Sequence, residues 1–83
     1  MDYELSVHAR ATLRKRKIPA AWLERVLAVP HLTEPDDEDP EVQHWLARIP
    51  EFDNRVLRVL VNTTVSPVRI VSLYFDRRMK KRL

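Results

Sequence analysis

The sequence predicts an α+β fold, with a short first strand and two helices packed on one face of a curved antiparallel sheet of three to four strands. Three observations predict this class. Apolar residues recur at helical spacing between residues 7 and 29. After residue 41 the pattern changes to alternation, which is typical of strands with one buried face. The length of 83 residues fits a single domain, 1–83, with helices and strands in separate parts of the chain.

The amino-terminal third is predicted to hold one strand and two helices. Residues 3–5 alternate, and Ser6 is a suitable N-cap for a helix over residues 7–17. Pro19 suits the first turn of a second helix, which ends before Pro30. This second helix carries an apolar stripe of Trp22, Leu23, Val26 and Leu27, so we expect its tryptophan in the core.

A proline-bounded acidic segment, 33–41, separates the helices from the later strands. It holds six carboxylates between residues 34 and 41 and too few apolar side chains to build a core. We therefore expect a solvated, mobile loop. A functional alternative is an acidic mimic that shields a basic surface or docks a basic partner.

Three strands are predicted after the acidic segment. The first carries Trp45, Ala47 and Ile49 on one face and His44, Leu46 and Arg48 on the other. A turn at 50–54, in which Asp53 and Asn54 favour chain reversal, leads into a strand over 55–62, and the last strand covers 68–75.

The alternation also predicts which cations share a surface. If Trp45 faces the helices, then His44, Arg48 and Arg58 emerge together on the opposite face of the sheet and form an open basic surface. Both faces of the last strand are apolar. The pattern therefore leaves open which pair joins that surface, Ser72 with Tyr74 or Arg69 with Arg77.

The composition excludes several classes of function. Without cysteine the chain has no disulfide, thiolate nucleophile or cysteine zinc site, and without glycine it lacks the Walker and dinucleotide-binding loops. Its three histidines have no paired spacing, and the acidic segment lacks the calcium-loop pattern, so we expect no metal and no cofactor. No apolar stretch reaches the roughly 18 residues of a membrane helix, and no signal sequence is visible, which predicts a cytoplasmic protein without a membrane partner.

The modest average charge conceals a strongly basic body. The chain carries a net +3, and setting aside the six acidic residues of 34–41 leaves +9 on the remainder. These cations concentrate on the first helix, on the predicted open face and in a basic tail at 77–82. Such a distribution favours a polyanionic partner.

Several stretches resemble known families. Residues 55–62 and 69–78 resemble the final strands of BrnT-type toxins, within the broad RelE/ParE superfamily. The first helix, with Ser6-Val7-His8-Ala9 and then Leu13, Arg16 and Ile18, is similar to a related family of small uncharacterised domains with a His-Ala pair. The chain departs from these patterns at Thr12 and Tyr74, where the related proteins often carry arginine.

The resemblance implies a RelE-like fold and a toxin of a type II toxin–antitoxin system. It further implies metal-independent cleavage of RNA, free or on the ribosome, and inhibition by a small cognate antitoxin. A homodimer and a hetero-oligomer with the antitoxin both stay open. So does a non-catalytic module on the same fold that binds nucleic acid or protein, including an adaptor for an acidic protein.

Four residues are candidates for the chemistry. Cleavage of RNA without a metal needs a base, an acid and cations around the phosphate. His8 is the preferred general acid or base, and the alternative is an imidazole satisfied by a carbonyl or carboxylate. Arg58 and Arg77 would hold the phosphate, unless they form ordinary ion pairs. Tyr74 would stack a base or donate a proton, unless it belongs to the core.

A wider set of cations is predicted to bind the RNA backbone. Its members lie on the first helix, the strands and the tail: Arg14, Lys15, Arg16, His44, Arg48, Arg78, Lys80 and Lys81. For His44 the alternative is an exposed strand residue without a function.

Overall fold

The elements follow the predicted order, with one additional strand. The computed structural model describes residues 1–83. It contains β1 (Tyr3–Leu5), α1 (Val7–Lys15), α2 (Ala20–Ala28), β2 (Leu32–Pro35), β3 (Val42–Ile49), β4 (Arg55–Asn62) and β5 (Val68–Phe75), with 3-10 turns at Pro50–Phe52 and Arg77–Met79.

The five strands form one mixed sheet in the order β1-β5-β4-β3-β2. Strand β1 pairs with β5 in parallel, and all other pairs are antiparallel. The class is α+β as predicted, but the sheet has five strands rather than the expected three to four, and it is mixed rather than antiparallel. Strand β1 pairs in parallel at one edge of the sheet, and β2 forms the other edge.

Strand β2 occupies the start of the segment predicted as an acidic loop at 33–41. Its backbone pairs with β3, with Glu34 opposite His44. An edge strand needs no alternating apolar residues, and it tolerates a proline at its end because only one side must pair. The remainder is held by its own carboxylates: Asp36 accepts hydrogen bonds from the amides of Glu38 and Asp39, at 3.1 and 2.9 Å. Local pairing, which the composition does not reveal, therefore orders this segment.

The main core lies between the helices and one face of the sheet. Twelve buried residues form it: Ala9, Ile18, Leu23, Val26, Leu27, Ala47, Ile49, Leu57, Val59, Val61, Ile70 and Leu73. Trp22 and Trp45 pack against this cluster, as predicted. A second, smaller cluster contains Leu46, Val56 and Met79, with Leu83 packed against it, and lies on the other face of the sheet. Because Met79 and Leu83 belong to the carboxy-terminal segment, that segment partly covers the sheet face expected to be open.

Helix α1 ends two residues earlier than predicted, in a Schellman motif. The amide of Lys17 donates to the carbonyl of Arg14 at 3.3 Å, and the amide of Ile18 donates to that of Leu13 at 2.9 Å. This geometry requires a left-handed residue after the helix, and Lys17 takes that position with a φ of 55°. A position that most helices fill with glycine is thus filled by lysine in a chain that has no glycine.

Lys17→Gly is therefore expected to stabilise the protein by about 1 kcal/mol, because glycine adopts a positive φ without a Cβ clash. Urea denaturation followed by tryptophan fluorescence measures the change. Ala11→Gly, within the exposed part of α1, is the matched control and should destabilise by about 1 kcal/mol. Equal loss of stability in both variants would show that Lys17 is not strained.

Candidate functional site

A groove forms where α1 runs beside the second half of β5. Strand β1 pairs with β5 only from Val68 to Ile70. Ser6 then turns the chain into α1: its amide donates to the Ile70 carbonyl at 3.0 Å, and its hydroxyl donates to the Val71 carbonyl at 2.8 Å. The same hydroxyl oxygen accepts the Ala9 amide at 3.0 Å and so caps the helix. These bonds fix α1 next to the part of β5 that β1 leaves unpaired.

This groove, which we call the arginine groove, has a volume of about 580 Å³. Its walls come from α1, from β5 and from the turn before β4: His8, Thr12, Arg16, Ile18, Phe52, Arg55, Ser72, Leu73, Tyr74, Phe75 and Arg77. His8 and Thr12 of α1 and its C-cap residue Arg16 are spaced by four, which places them on one helix face. No acidic residue lines the groove.

The arginines of the groove form no salt bridge, although Arg55 and Arg77 also line a neighbouring pocket that contains Asp53 and Asp76. Arg16, Arg55 and Arg77 are exposed, and none belongs to any of the six salt bridges. Asp53, the acidic neighbour of Arg55, bonds instead to Lys80 at 2.9 Å. Unpaired guanidinium groups keep their paired donors for a phosphate or carboxylate. The arrangement therefore leaves three sets of guanidinium donors free for an anionic ligand.

Two phenylalanines that line the groove, Phe52 and Phe75, belong to an aromatic cluster. The ring of Phe52 lies 4.9 Å from that of Phe75 and 5.5 Å from that of Trp22, measured between centroids. The guanidinium carbon of Arg55 lies 4.6 Å from the Phe52 centroid, within the range of a cation–π contact. One groove thus offers both cations and an aromatic surface.

Arg58 lies outside the groove, in a buried ionic cluster. Its Nε donates to Asp76 Oδ2 at 2.9 Å, and its Nη1 donates to Glu34 Oε1 at 2.9 Å and to His44 Nδ1 at 2.7 Å. His44 Nε2 in turn lies 2.6 Å from Asp36 Oδ1. We call Glu34, Asp36, His44, Arg58 and Asp76 the Arg58 cluster. The Arg58 side chain is 8 % exposed and that of Asp76 is 3 % exposed.

The bonds of the Arg58 cluster assign the tautomer of His44. A guanidinium only donates, so His44 Nδ1 must accept, and Nε2 then carries the proton that is donated to Asp36. Burial alone would raise the pKa of Asp76, but hydrogen bonds from Arg58 and from the Arg78 amide lower it below its usual value. The cluster is satisfied internally, and its arginine is not available to a ligand as the groove arginines are.

The prediction of an open basic surface formed by His44, Arg48 and Arg58 is therefore wrong. His44, Arg48 and Arg58 do lie on neighbouring strands, but carboxylates and carbonyls engage all three. Arg48 donates to the carbonyls of Asn54, Lys80 and Leu83 and ties down the carboxy-terminal segment. Alternation places cations on a face but does not reveal which distant acceptors meet them there.

The structure brings together four of the predicted site residues, His8, Arg16, Tyr74 and Arg77. In the strand register Tyr74 lies opposite Arg58, so Ser72 and Tyr74 are the pair that shares the sheet face of Arg58. Tyr74 therefore lines a second pocket beside His44 and Arg58 as well as the arginine groove. The other predicted site residues lie outside the groove. His44 and Arg58 belong to the Arg58 cluster, and Arg78 lies beside it. Arg14 and Lys15 belong to α1 but do not line the groove, Lys80 and Lys81 belong to the basic tail, and Arg48 bonds to that tail.

Phe52 and Arg55 line the groove but were not predicted as site residues. Phe52 lies in the turn predicted at 50–54, and Arg55 is the first residue of the strand predicted over 55–62. The sequence indicated only a chain reversal and the start of a strand at these positions. The one signal for them in the sequence is that Phe52 and Arg55 directly flank the turn residues Asp53 and Asn54. Both turn residues have positive φ values, 56° and 54°, which bring the chain back sharply.

The Arg58 cluster makes the free energy of unfolding depend on pH in the acidic range. Hydrogen bonds from the backbone amides of Asp39 and Glu38, together with the hydrogen bond to His44, lower the pKa of Asp36 from 3.8 to about 2. A carboxylate whose pKa is lowered by folding stabilises the protein above its unfolded pKa and loses that effect as the pH falls through its folded pKa. We therefore expect stability to decline between about pH 4 and about pH 2, where Asp36 becomes protonated.

Urea denaturation at several pH values tests this expectation. Asp36→Asn should be less stable than the wild type at neutral pH and should lose less stability on acidification. Asp37→Asn is the matched control, because the Asp37 side chain makes no hydrogen bond or salt bridge. An identical acid-induced loss in the wild type and in Asp36→Asn would contradict the assignment.

The fold and the groove define a small α+β protein with a cleft lined by arginines and aromatic rings. The chain belongs to the family described as Domain of unknown function (DUF4258), whose model matches residues 5–75. Neither the curated proteins nor the solved structures include a significant match to it. No helix combines the length and the apolar character needed to cross a membrane.

Proposed function

We propose that this protein is the toxin of a type II toxin–antitoxin system and that the arginine groove is its active site for metal-independent cleavage of RNA. A small cognate antitoxin would neutralise it. The observation that supports the proposal is the meeting of His8 and Tyr74 with three arginines that form no salt bridge, Arg16, Arg55 and Arg77, in one groove. This set contains the proton-transferring and anion-stabilising groups that the reaction needs.

The reaction uses the 2′-hydroxyl of RNA as an internal nucleophile. His8 takes the 2′-hydroxyl proton while O2′ bonds to phosphorus, and the bond from phosphorus to O5′ breaks. Tyr74 gives a proton to the departing O5′. The products are a 2′,3′-cyclic phosphate on one fragment and a 5′-hydroxyl on the other. Because RNA carries its own nucleophile, no bound water has to be activated.

The arginines have a separate part in this reaction. Negative charge grows on the non-bridging oxygens as phosphorus becomes five-coordinate, and guanidinium groups stabilise it with paired N–H donors. Arg16 is the C-cap residue of α1, and Arg55 and Arg77 come from β4 and from the 3-10 turn after β5. A phosphate in the groove would thus meet cations from three separate elements.

Purified protein mixed with single-stranded RNA in the presence of EDTA tests the activity. We expect fragments to accumulate with time and protein concentration. Intact RNA together with salt-sensitive binding would overturn the catalytic proposal and favour a non-catalytic nucleic-acid-binding module, because phosphate contacts weaken as salt rises. A ribosome-bound messenger RNA is the second substrate for the same assay.

Expression of the chain in a bacterial host tests the toxin role. We expect growth to stop, and co-expression of the small protein encoded next to it to restore growth and to copurify with it. Arg69→Ala is a suitable control, since Arg69 is an exposed β5 arginine outside the groove. Normal growth at high expression of the folded protein would contradict the toxin role.

A further inference from the structure

Phe52 is unusually exposed for a phenylalanine in an aromatic cluster. It keeps 37 % of its surface accessible, although its ring packs near those of Trp22 and Phe75. The exposed part contributes to the arginine groove rather than to an isolated surface position. An aromatic ring that lines a cationic groove offers a flat surface to whatever binds there.

Arg55 extends this aromatic surface. Its guanidinium lies over the Phe52 ring, which restricts the side chain without using its N–H donors. It forms no salt bridge, and the nearby Asp53 carboxylate is bonded to Lys80. The hydrogen bond from Lys80 and, more weakly, the Arg55 charge lower the pKa of Asp53, but no protein group accepts a hydrogen bond from the Arg55 guanidinium. Its N–H donors are therefore free for a ligand that also contacts Phe52.

We propose that Phe52 and Arg55 form a nucleobase-stacking subsite of the arginine groove and that the RNA substrate is single-stranded at the nucleotide bound there. This inference rests on the proposed function, whose substrate it narrows. Bases inside a duplex stack on one another and present only their edges, whereas an unpaired base exposes a face to aromatic rings and guanidinium planes. The phosphates next to the stacked base would meet Arg16 and Arg77.

An RNA strand accounts for this combination better than an acidic peptide does. Carboxylates would satisfy the arginines, but they would leave exposed the part of Phe52 that Arg55, Trp22 and Phe75 do not cover. A nucleotide carries a phosphate and a flat base joined by one sugar, which matches the adjacent cationic and aromatic parts of the groove. Stacking is tolerant of base identity, so the subsite selects unpaired over paired RNA rather than one sequence.

Binding of uncleavable 2′-O-methyl oligonucleotides separates stacking from charge. The probes are a single strand, the same strand with one base removed at successive positions, and a blunt duplex of equal length. At fixed salt we expect loss of one base at the bound position to weaken binding about tenfold, the size expected from base–aromatic stacking. Equal affinity for the intact and all abasic strands would overturn the subsite.

Substitutions at the subsite provide matched pairs. Phe52→Leu keeps apolar bulk for the aromatic cluster but removes the ring, and it should abolish the preference for the intact strand, whereas Phe52→Trp should keep it. Arg55→Lys keeps the charge without the planar guanidinium and should reduce the preference without changing the dependence on salt. Arg69→Lys, outside the groove, should behave as the wild type. Retention of the full preference in Phe52→Leu would contradict the proposal.

The failure of this inference is distinguishable from failure of the proposed function. If the wild type cleaves RNA and Phe52→Leu cleaves it with unchanged kcat/KM, the subsite is wrong and the nuclease stands. If base-dependent binding persists without any cleavage, the nuclease is wrong and the subsite stands.

Discussion

Replacing Arg58 by alanine is expected to destabilise the protein by about 3–5 kcal/mol, because it leaves buried carboxylate charge without its partner. The Arg58 side chain is almost fully buried, and Asp76 and Glu34 both bond to it at 2.9 Å. Domains of this size have an unfolding free energy of about 5–15 kcal/mol, so the loss is a large part of the total. Urea denaturation followed by tryptophan fluorescence measures it.

Arg77→Ala is the matched control for Arg58→Ala. Arg77 is exposed, lines the arginine groove and forms no salt bridge, so its removal should change stability by less than about 0.5 kcal/mol. Its effect should appear in RNA binding and cleavage instead. An Arg58→Ala protein that unfolds at the same urea concentration as the wild type but no longer cleaves RNA would restore Arg58 to the catalytic role that the sequence predicted.

Replacing His8 by alanine is expected to lower the cleavage rate by about 10²–10⁴-fold, the usual contribution of a general acid or base. His8 is exposed and its ring makes no hydrogen bond within the protein, so the unfolding free energy should not change. Single-turnover cleavage with excess protein measures the chemical step separately from binding. We expect the affinity for an uncleavable strand to stay within a factor of about 3, since the proposed phosphate contacts are made by the arginines.

His31→Ala is the control for a general effect of losing an imidazole. His31 is exposed and lies before β2, outside the arginine groove, and its Nδ1 accepts a hydrogen bond from the Arg48 amide at 3.1 Å, so the stability of this variant is measured alongside its activity. Its variant should cleave RNA at the wild-type rate. Wild-type cleavage by His8→Ala, or an equal loss in both variants, would remove His8 from the mechanism.

The helices and the three long strands could be predicted because their signals are local. Apolar spacing in α2 and alternation in β3 reflect burial against a single neighbouring layer. Strand β2 could not be predicted, because only Leu32 of its four residues is apolar and its pairing with β3 depends on backbone groups. The parallel position of β1 was also hidden, since its partner β5 lies more than sixty residues further along the chain.

The candidate site divides in the same way. His8 and Arg16 could be found because they share one face of a helix with a recognisable pattern. Arg58 and His44 were grouped on a basic face because alternation cannot show that Glu34, Asp36 and Asp76 meet them. Phe52 and Arg55 were not predicted as site residues because they lie at and just after a turn. The residue pattern there does not indicate which distant part of the chain, in this case β5, the turn contacts.

The chemical nature of the fragment ends tests the central claim most directly. Wild-type protein and a single-stranded RNA are incubated in EDTA, and the new ends are identified by mass spectrometry. The mechanism through His8 and Tyr74 predicts 2′,3′-cyclic phosphate and 5′-hydroxyl ends, with no cleavage at a position whose 2′-hydroxyl is replaced by hydrogen. Fragments with 5′-phosphate ends, or cleavage at the 2′-deoxy position, would contradict it.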